Sequence, residues 1–246
     1  MQFSSSVYLN LPMKGACVKL GRSQLEVYML KSVVRRLPAA ARDYLQHAYH
    51  RCLLARGTFR SPEPEWDQLA EWLRPGDAAL DVGANVGHYT ARMSELVGPA
   101  GRVIAIEPVV ETFALLAANA PYFRFPNVTL LNLAASDKPA SCRFSVPTWP
   151  DGTPNGYLAY LDPHGPGSCL AIRLDALELP IPLRLAKIDA EGHEGRVLAG
   201  MRRLLERDRP VVILERNAEA EGLLASLGYT FRVSALRSPN IVALPS

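Results

Sequence analysis

The sequence predicts an α/β fold in which helices cover both faces of a mostly parallel sheet. From about Ala78 onward, short apolar segments alternate with segments of helical periodicity, which is typical of strand–helix–strand units. The runs VIAI and VVIL are apolar throughout, as expected for strands that are packed on both faces. With 246 residues, of which 48% are apolar, the chain can bury a sizeable core.

Each predicted element follows from its local pattern. Five short apolar segments are predicted as parallel strands: AALDV, RVIAIEP, NVTLLNLAA, LRLAKIDA and PVVILE. Four segments with apolar residues at helical spacing are predicted as helices: GHYTARMSELV, VVETFALLAANA, EGRVLAGMRRLLERD and EAEGLLASLG. Only the turn-like SALRSP separates YTFRV from NIVAL, so we predict that these two strands form an antiparallel hairpin at a sheet edge.

Two regions depart from this alternation. Residues 140–179 are rich in Pro and Gly between the strand candidates CRFSV and CLAIRL, and they either help to wall a substrate pocket or form a plain surface excursion. Residues 1–64 are predicted as a helical extension to a domain of residues 65–246. Seven Lys or Arg residues and one acid lie between Lys31 and Arg60. We favour a solvated cap helix there over a basic surface for an anionic partner or a membrane.

Composition and charge exclude several classes of protein. The net charge of +3 is too small to indicate a nucleic-acid-binding protein. No secretory signal is visible, and no uncharged run reaches the roughly 18 residues that span a bilayer. The four cysteines are irregularly spaced without a C-x-x-C pair, which argues against a zinc site or a redox dithiol of that type. We therefore expect a soluble, cytoplasmic protein of unknown oligomeric state.

The segment DVGANVGHYT, residues 81–90, joins the strand AALDV to a helix at the edge where α/β sheets bind ligands. Gly83 and Gly87 lack a Cβ, so the chain can turn sharply and a ligand can lie against the backbone. The dinucleotide pattern G-x-G-x-x-G loses its middle glycine here, because Asn85 follows Ala84. A ligand without a phosphate therefore fits this loop better than a dinucleotide does.

A second acid supports this interpretation of the loop. Glu107 ends the strand RVIAIEP, 24 positions after Gly83, where a carboxylate can accept hydrogen bonds from a ribose diol. Asp81 can pair with a cationic amine. S-adenosylmethionine (SAM) has both a ribose and an amino-acid moiety and carries no phosphate. The loop and Glu107 together predict SAM, against the alternative of a tight turn beside an unrelated acid.

Another cluster of charged residues follows a later strand. In KIDAEGHEG, residues 187–195, three acids, a lysine and a histidine fall within eight residues. Helix capping and pairing with the helix dipole account for one or two acids at such a position. Because the segment lies at the same predicted edge as the glycine loop, the whole cluster also suggests chemistry.

Six segments, taken in order, resemble the FkbM family of SAM-dependent O-methyltransferases: DVGANVGHYT, GPAGRVIAIEPVVETFALLAAN, LNLAASD, IRLDAL, KIDAEGHEGRVLAGM and PVVILE. The resemblance covers roughly Glu65 to the C-terminus and leaves the first 60 residues unmatched. It implies a class I methyltransferase fold, which is Rossmann-like, with seven strands, the last antiparallel, and helices on both faces.

The resemblance also implies a set of site residues. Cofactor contacts are expected at Asp81, Gly83, Asn85, Gly87, Glu107 and Asp189, with Ser136 and Asp137 near the adenine. The acceptor is expected beside Asp189, Glu191 and His193.

An alcohol is a poor nucleophile, so a general base is expected to assist methyl transfer. His193 fits that role by its ordinary pKa of about 6.5, although it could instead cap or pack the helix start. Asp189 is the other candidate, either as the base or as a group that orients the cofactor. A Mg²⁺ ion held by Asp189, Glu215 and Asn217 is a further alternative that we do not favour.

The sequence thus predicts an enzyme that methylates a hydroxyl group of a small molecule, a sugar, a glycan or a polyketide-type acceptor. One alternative is a catalytically silent SAM-binding scaffold. An NAD-dependent dehydrogenase is a weaker alternative, because the loop lacks the middle glycine and the last strand is predicted to be reversed.

Overall fold

The computed structural model describes residues 7–10, 17–20, 38–148, 159–179, 181–233 and 238–246. The chain forms two compact units, Met1–Tyr49 and His50–Ser246. The boundary between these units comes before residue 64, where the sequence analysis places the end of the N-terminal extension. In the first unit, strands β1 (Val7–Asn10) and β2 (Cys17–Leu20) pair in antiparallel register, a feature that a purely helical extension lacks. Helix α1 (Ala39–Ala55) lies in the segment predicted as helix and contains the boundary between the units.

The second unit contains the alternating strands and helices that the sequence predicts. Its described strands are β3 (Ala78–Val82), β4 (Arg102–Ile106), β5 (Val128–Leu131), β6 (Ala134–Ala135), β7 (Ala140–Ser145), β8 (Tyr160–Leu161), β9 (Gly167–Ile172), β10 (Leu183–Ile188), β11 (Val211–Glu215), β12 (Tyr229–Val233) and β13 (Asn240–Pro245). Its described helices after α1 are α2 (Pro64–Trp72), α3 (His88–Val97), α4 (Val110–Asn119), α5 (Glu194–Gly200), α6 (Arg202–Asp208) and α7 (Ala218–Ser226).

Seven of the described strands form one sheet in the order β12-β13-β11-β10-β3-β4-β5. The neighbours from β11 to β5 pair in parallel, whereas β13 is antiparallel to both β11 and β12. This is the class I methyltransferase fold, and the predicted fold class is confirmed, including the reversed last strand and the hairpin at the edge. The carboxyl ends of β3, β4 and β10 therefore meet at one edge of the sheet.

Packing on both faces explains why the central strands are apolar throughout. On one face, Leu80 and Ile188 pack in a core cluster with side chains of α5, α6 and α7. On the other face, Leu185 packs with Leu69 of α2 and Met93 of α3. Because side chains alternate along a strand, a strand buried between two helical layers needs apolar residues at consecutive positions.

The predicted strand NVTLLNLAA is divided between two sheets. Its first part is β5 in the main sheet, whereas β6 pairs in parallel with β9 in a smaller sheet of order β6-β9-β7-β8. Between the two parts, the Asn132 side-chain amide donates to the carbonyls of Glu107 at 2.9 Å and Pro108 at 3.3 Å. These bonds replace strand pairing at Asn132, and the chain leaves the main sheet there.

The predicted helix EGRVLAGMRRLLERD is also divided, into α5 and α6. Met201 lies between them with a φ of −118° and a fully buried side chain. Gly200, the residue before it, packs so closely that a Cβ there would lie 1.9 Å from the Ser136 carbonyl oxygen. Tertiary packing against the loop after β6 thus ends α5 at this point.

Candidate active site

The turns after β3, β4 and β10 line one crevice at the carboxyl edge of the main sheet. Six of the residues that the sequence singles out lie in its wall: Gly83, Asn85, Glu107, Asp189, Glu191 and His193. These residues come from three separate segments, and the parallel strand order brings them together.

The turns after β3 and β10 are in direct contact. Gly83 has a φ of +73°, and a Cβ at this position would lie 2.0 Å from the carbonyl oxygen of Asp189. The Asp189 N–H donates to the Val82 carbonyl at 3.0 Å, which extends the pairing of β3 with β10 to the edge. A glycine is required at position 83 both for its left-handed backbone and for this close approach.

Glu107 is a buried carboxylate in the crevice wall, with 4% of its surface exposed. Its two oxygens accept the backbone N–H groups of Asn85 and Val109, each at 2.9 Å. Burial raises the pKa of Glu107 to about 7, although the two backbone hydrogen bonds act in the opposite direction. Asn85 takes a left-handed φ of +50°, which presents its N–H to this carboxylate.

Asp81, by contrast, does not line the crevice. It is fully buried on β3, where its Oδ2 accepts the Thr90 hydroxyl at 2.5 Å and Lys187 is its neighbour on β10. Burial raises the pKa of Asp81. The contact with a cofactor amine that the resemblance implies for Asp81 stays a prediction.

Gly87 also lies off the crevice. It is the N-cap of α3 with a φ of +100°, and a Cβ there would lie 2.7 Å from the Leu116 side chain and 2.9 Å from that of Phe123. Position 87 requires glycine because of its left-handed backbone and because α3 packs against α4 and the turn after it.

Ser136 and Asp137, which the resemblance places near the adenine, hydrogen-bond toward the turn after β10. Arg196 donates to Asp137 Oδ2 at 3.0 Å, Ser136 Oγ lies 3.0 Å from Asp137 Oδ1, and the same Oγ lies 3.0 Å from His193 Nε2. Burial acts to raise the pKa of Asp137, but the Ser136 hydrogen bond and Arg196 hold it below its ordinary value. Neither residue is among those that line the crevice.

This chain of hydrogen bonds assigns the proton of His193. Because ionised Asp137 can only accept, the single hydroxyl hydrogen of Ser136 points to Asp137. Ser136 Oγ then accepts from Nε2–H of His193, and the lone pair of the neutral imidazole lies on Nδ1. Burial lowers the pKa of His193, which favours this neutral form.

The remaining acids of KIDAEGHE have different environments. Lys187 donates to Asp189 Oδ2 at 2.7 Å, and although burial acts to lower its pKa, Asp189 and Asp81 hold it above the ordinary value. Glu194 is buried and accepts the backbone N–H groups of Ala190 and Gly192, each at 3.1 Å, so it shapes the turn.

Glu191 is the exposed acid of this segment and takes a left-handed φ of +48°. Partial burial, followed by the neighbouring Asp189, raises the pKa of Glu191 to about 6. The crevice thus carries acidic groups on both the β4 side and the β10 side.

As to the alternative Mg²⁺ site, no group of three or more His, Cys, Asp or Glu side chains in the described part of the chain could hold a metal ion. Asn217, one of its expected ligands, caps α7 by accepting from the N–H groups of Glu219 and Ala220 at 3.1 Å. Its amide also donates to Glu194 at 3.2 Å.

The smaller sheet supplies crevice residues that the sequence did not single out. Phe144 of β7 and Tyr160 of β8 both line the crevice, and Phe144 is buried. Both come from the Pro- and Gly-rich interruption, so this region does help to wall the pocket. The position of this region between two strand candidates was the sequence signal for a pocket wall. Which of its residues face the crevice depends on how β7, β8 and β9 pair.

Two family comparisons match different parts of this unit. Residues 170–231, which contain Asp189, Glu191 and His193, match the methyltransferase FkbM domain. Residues 60–121, which contain the glycine loop and Glu107, match the protein-L-isoaspartate(D-aspartate) O-methyltransferase family.

Two curated proteins match part of the chain. A protein-L-isoaspartate O-methyltransferase of Triticum aestivum is 38% identical over 90 residues, which are 35% of this chain and 36% of the relative. One from Methanothrix thermoacetophila is 32% identical over 97 residues, 38% of this chain and 46% of the relative. The matched region thus spans less than half the length of these curated relatives.

Comparison with solved structures gives matches of low sequence identity. A methyltransferase FkbM from Methylobacillus flagellatus KT has a TM-score of 0.48 at 15% identity, covering 89% of this chain and 59% of that chain.

None of the helices in the described residues combines the length and hydropathy needed to cross a bilayer.

Proposed function

We propose that this chain, whose residues 170–231 match the methyltransferase FkbM domain, transfers a methyl group from SAM to a hydroxyl oxygen of a small molecule or saccharide. The observation that carries the proposal is the convergence of the Gly83 turn, Glu107 and His193 on one crevice. Because the matches cover only part of the relatives, the activity and the acceptor are both matters for experiment.

The crevice has acceptor groups that suit SAM. The Gly83 turn lines it, and the Glu107 carboxylate can accept from the ribose diol. SAM carries an ammonium and a sulfonium, and the acids Glu107, Asp189 and Glu191 give the wall the complementary charge. The same acids oppose a pyrophosphate, which disfavours NAD.

His193 is proposed as the general base. When bound, SAM supplies an electrophilic methyl group, so the chain has to align the acceptor oxygen and accept its proton. His193 lines the crevice as a neutral imidazole, held through Nε2 by Ser136 and Asp137 and with its lone pair on Nδ1. In this proposal Asp189, fixed by its ion pair with Lys187, orients the ligands rather than taking the proton.

A second candidate acceptor is a carboxylate of protein isoaspartate, because the curated relatives carry that activity in their names. The family match behind it, however, is confined to residues 60–121, the part with the glycine loop and Glu107. The part with His193, residues 170–231, matches the FkbM domain. Asp189 and Glu191 in the wall would also repel an anionic acceptor, so we favour a neutral hydroxyl.

The two acceptors are distinguished by the stability of the methylated product. The full chain is incubated with methyl-labelled SAM and either an isoaspartyl peptide or a panel of saccharide and polyketide hydroxyl compounds. A hydroxyl acceptor gives a methyl ether that survives mild base, whereas a carboxylate gives a methyl ester that is hydrolysed and releases labelled methanol. We expect base-stable label that is lost in His193→Ala.

Base-labile label on the isoaspartyl peptide would contradict the hydroxyl proposal. SAM binding without transfer to any acceptor would favour the silent scaffold. The cytoplasmic location stays a prediction from the sequence. Whether transfer requires Mg²⁺ is tested by adding EDTA to the same assay.

A further inference from the structure

Two cysteines that are distant in the sequence face each other across the smaller sheet. In the antiparallel pairing of β7 with β9, Cys142 is directly opposite Cys169. Exposure alternates along both strands, so the two thiols lie on the same face as Phe144 and Ala171, whose side chains are buried. Both cysteines are reduced and half-buried in this structure.

The backbone geometry at this pair permits a disulfide. The Asp162 N–H donates to the Arg143 carbonyl at 3.0 Å, so the polar groups of Arg143 point toward β8. Those of Cys142, the preceding residue, therefore point toward β9, and Cys142 and Cys169 form a hydrogen-bonded pair with Cα atoms about 5.5 Å apart. Disulfides span Cα distances of about 4.4 to 6.8 Å.

The surroundings of the pair indicate a bond that would be easily reduced. Disulfide Cβ atoms prefer a separation of about 3.5 to 4.5 Å, which is shorter than the spacing of facing side chains across a sheet, so bonding draws the strands together. Strained and partly exposed disulfides have the higher reduction potentials found in labile bonds. Burial and the neighbouring Cys142 raise the pKa of the Cys169 thiol, which slows its spontaneous oxidation.

We propose that Cys142 and Cys169 are a modification site, at which a reversible intramolecular disulfide forms by exchange with a small-molecule thiol–disulfide couple. This inference is independent of methyl transfer. It places a covalent link two residues from Phe144, in the sheet that supplies part of the crevice wall.

The exchange balances with glutathione disulfide as the oxidant. The thiolate of one cysteine attacks a sulfur of glutathione disulfide, which forms a mixed disulfide and releases one glutathione. The second cysteine, after losing its proton, attacks the protein sulfur of the mixed disulfide and releases the second glutathione. The protein loses two electrons and two protons, and the oxidant is reduced to two thiols.

The test uses the full chain with Cys17→Ser and Cys52→Ser, so that only the proposed pair remains. The folded protein is treated with glutathione disulfide, alkylated and measured by intact mass and peptide mapping. We expect a mass lower by two hydrogen atoms, one peptide that links Cys142 to Cys169, and full reversal by dithiothreitol. Mapping of the unsubstituted chain checks that the same link forms with all four cysteines present.

A matched control keeps the number of thiols and moves one of them to the other face. In this background, Cys169→Ser combined with Leu170→Cys places the thiol at a position that is 68% exposed on the opposite side of the sheet. We expect glutathione adducts without an internal link in this variant. The proposal is overturned if the test protein is alkylated at both cysteines, if each cysteine keeps its own glutathione, or if the control cross-links equally.

Discussion

The carboxylate of Glu107 combines two properties that are usually separate, since it is buried and yet lines a ligand crevice. Its pKa of about 7 in the folded chain lies above its ordinary value of 4.5. The folded state therefore binds this proton more tightly than the unfolded state does. The resulting stabilisation is complete below about pH 4.5 and is lost as the pH rises through about 7.

Ligand binding should show the opposite dependence on pH. Because ribose hydroxyls donate to an ionised Glu107, SAM affinity should rise up to about tenfold from about pH 6 to about pH 8. Glu107→Gln should remove most of this rise, and Glu107→Ala should weaken SAM binding by more than about tenfold at pH 8. Titration calorimetry at several pH values measures both. Unchanged SAM affinity in Glu107→Ala would refute the ribose role.

His193 is expected to affect turnover rather than cofactor binding. Removal of a general base slows proton transfer, so His193→Ala should lower kcat by about a hundredfold or more with nearly unchanged SAM affinity. Ser136→Ala should lower kcat less and leave KM nearly unchanged. The imidazole of His193 is kept, but the hydrogen bond that fixes its proton on Nε2 is lost. Full activity of His193→Ala in a methyl-transfer assay would exclude it as the base.

At the scale of elements, the contact between the turns after β3 and β10 depends on one missing side chain. Gly83→Ala both strains a left-handed backbone and drives a Cβ into the Asp189 carbonyl. Gly76→Ala is a matched control, because Gly76 has a φ of +94° but no atom within 4 Å of an added Cβ.

We expect Gly76→Ala to cost about 1 to 2 kcal/mol of unfolding free energy from backbone strain alone. Gly83→Ala should cost about 1 to 3 kcal/mol more, because of the clash, and should also abolish SAM binding. Urea denaturation and calorimetry check the two effects. Equal destabilisation by the two substitutions would mean that the turns do not pack as described.

The main strands could be predicted from the sequence because their signal is local. Segments such as AALDV and PVVILE are apolar at every position, and a strand buried on both faces requires that pattern. The breaks at Asn132 and Met201 could not be predicted in the same way. They depend on a side-chain amide that reaches the carbonyl of Glu107 and on packing against Ser136, which only the folded chain defines.

At the scale of the whole molecule, connectivity made much of the site predictable. Parallel strands place their carboxyl ends at one edge, so Gly83, Glu107 and Asp189 could be placed together from the order of strands alone. The hydrogen bonds of Asp81 and Ser136 could not be predicted in this way. Strand position does not reveal that Asp81 hydrogen-bonds Thr90, nor that Ser136 hydrogen-bonds His193.

The smaller sheet shows the limit of sequence patterns for this chain. Phe144 and Tyr160 reach the crevice through long-range pairing of β7, β8 and β9. The strands β6, β7 and β8 of this sheet lie between the segments that match the two methyltransferase families, residues 60–121 and 170–231, and β9 overlaps the start of the second. The shape of the acceptor pocket therefore depends on the part of the chain whose sequence is least informative.

Titration calorimetry of the unmodified chain with SAM and, separately, with NAD tests most directly whether the crevice is a SAM site. The glycine turn without its middle glycine and the acidic wall predict saturable binding of SAM at one site per chain and no measurable heat with NAD. Saturable binding of NAD in the absence of any SAM binding would contradict the account.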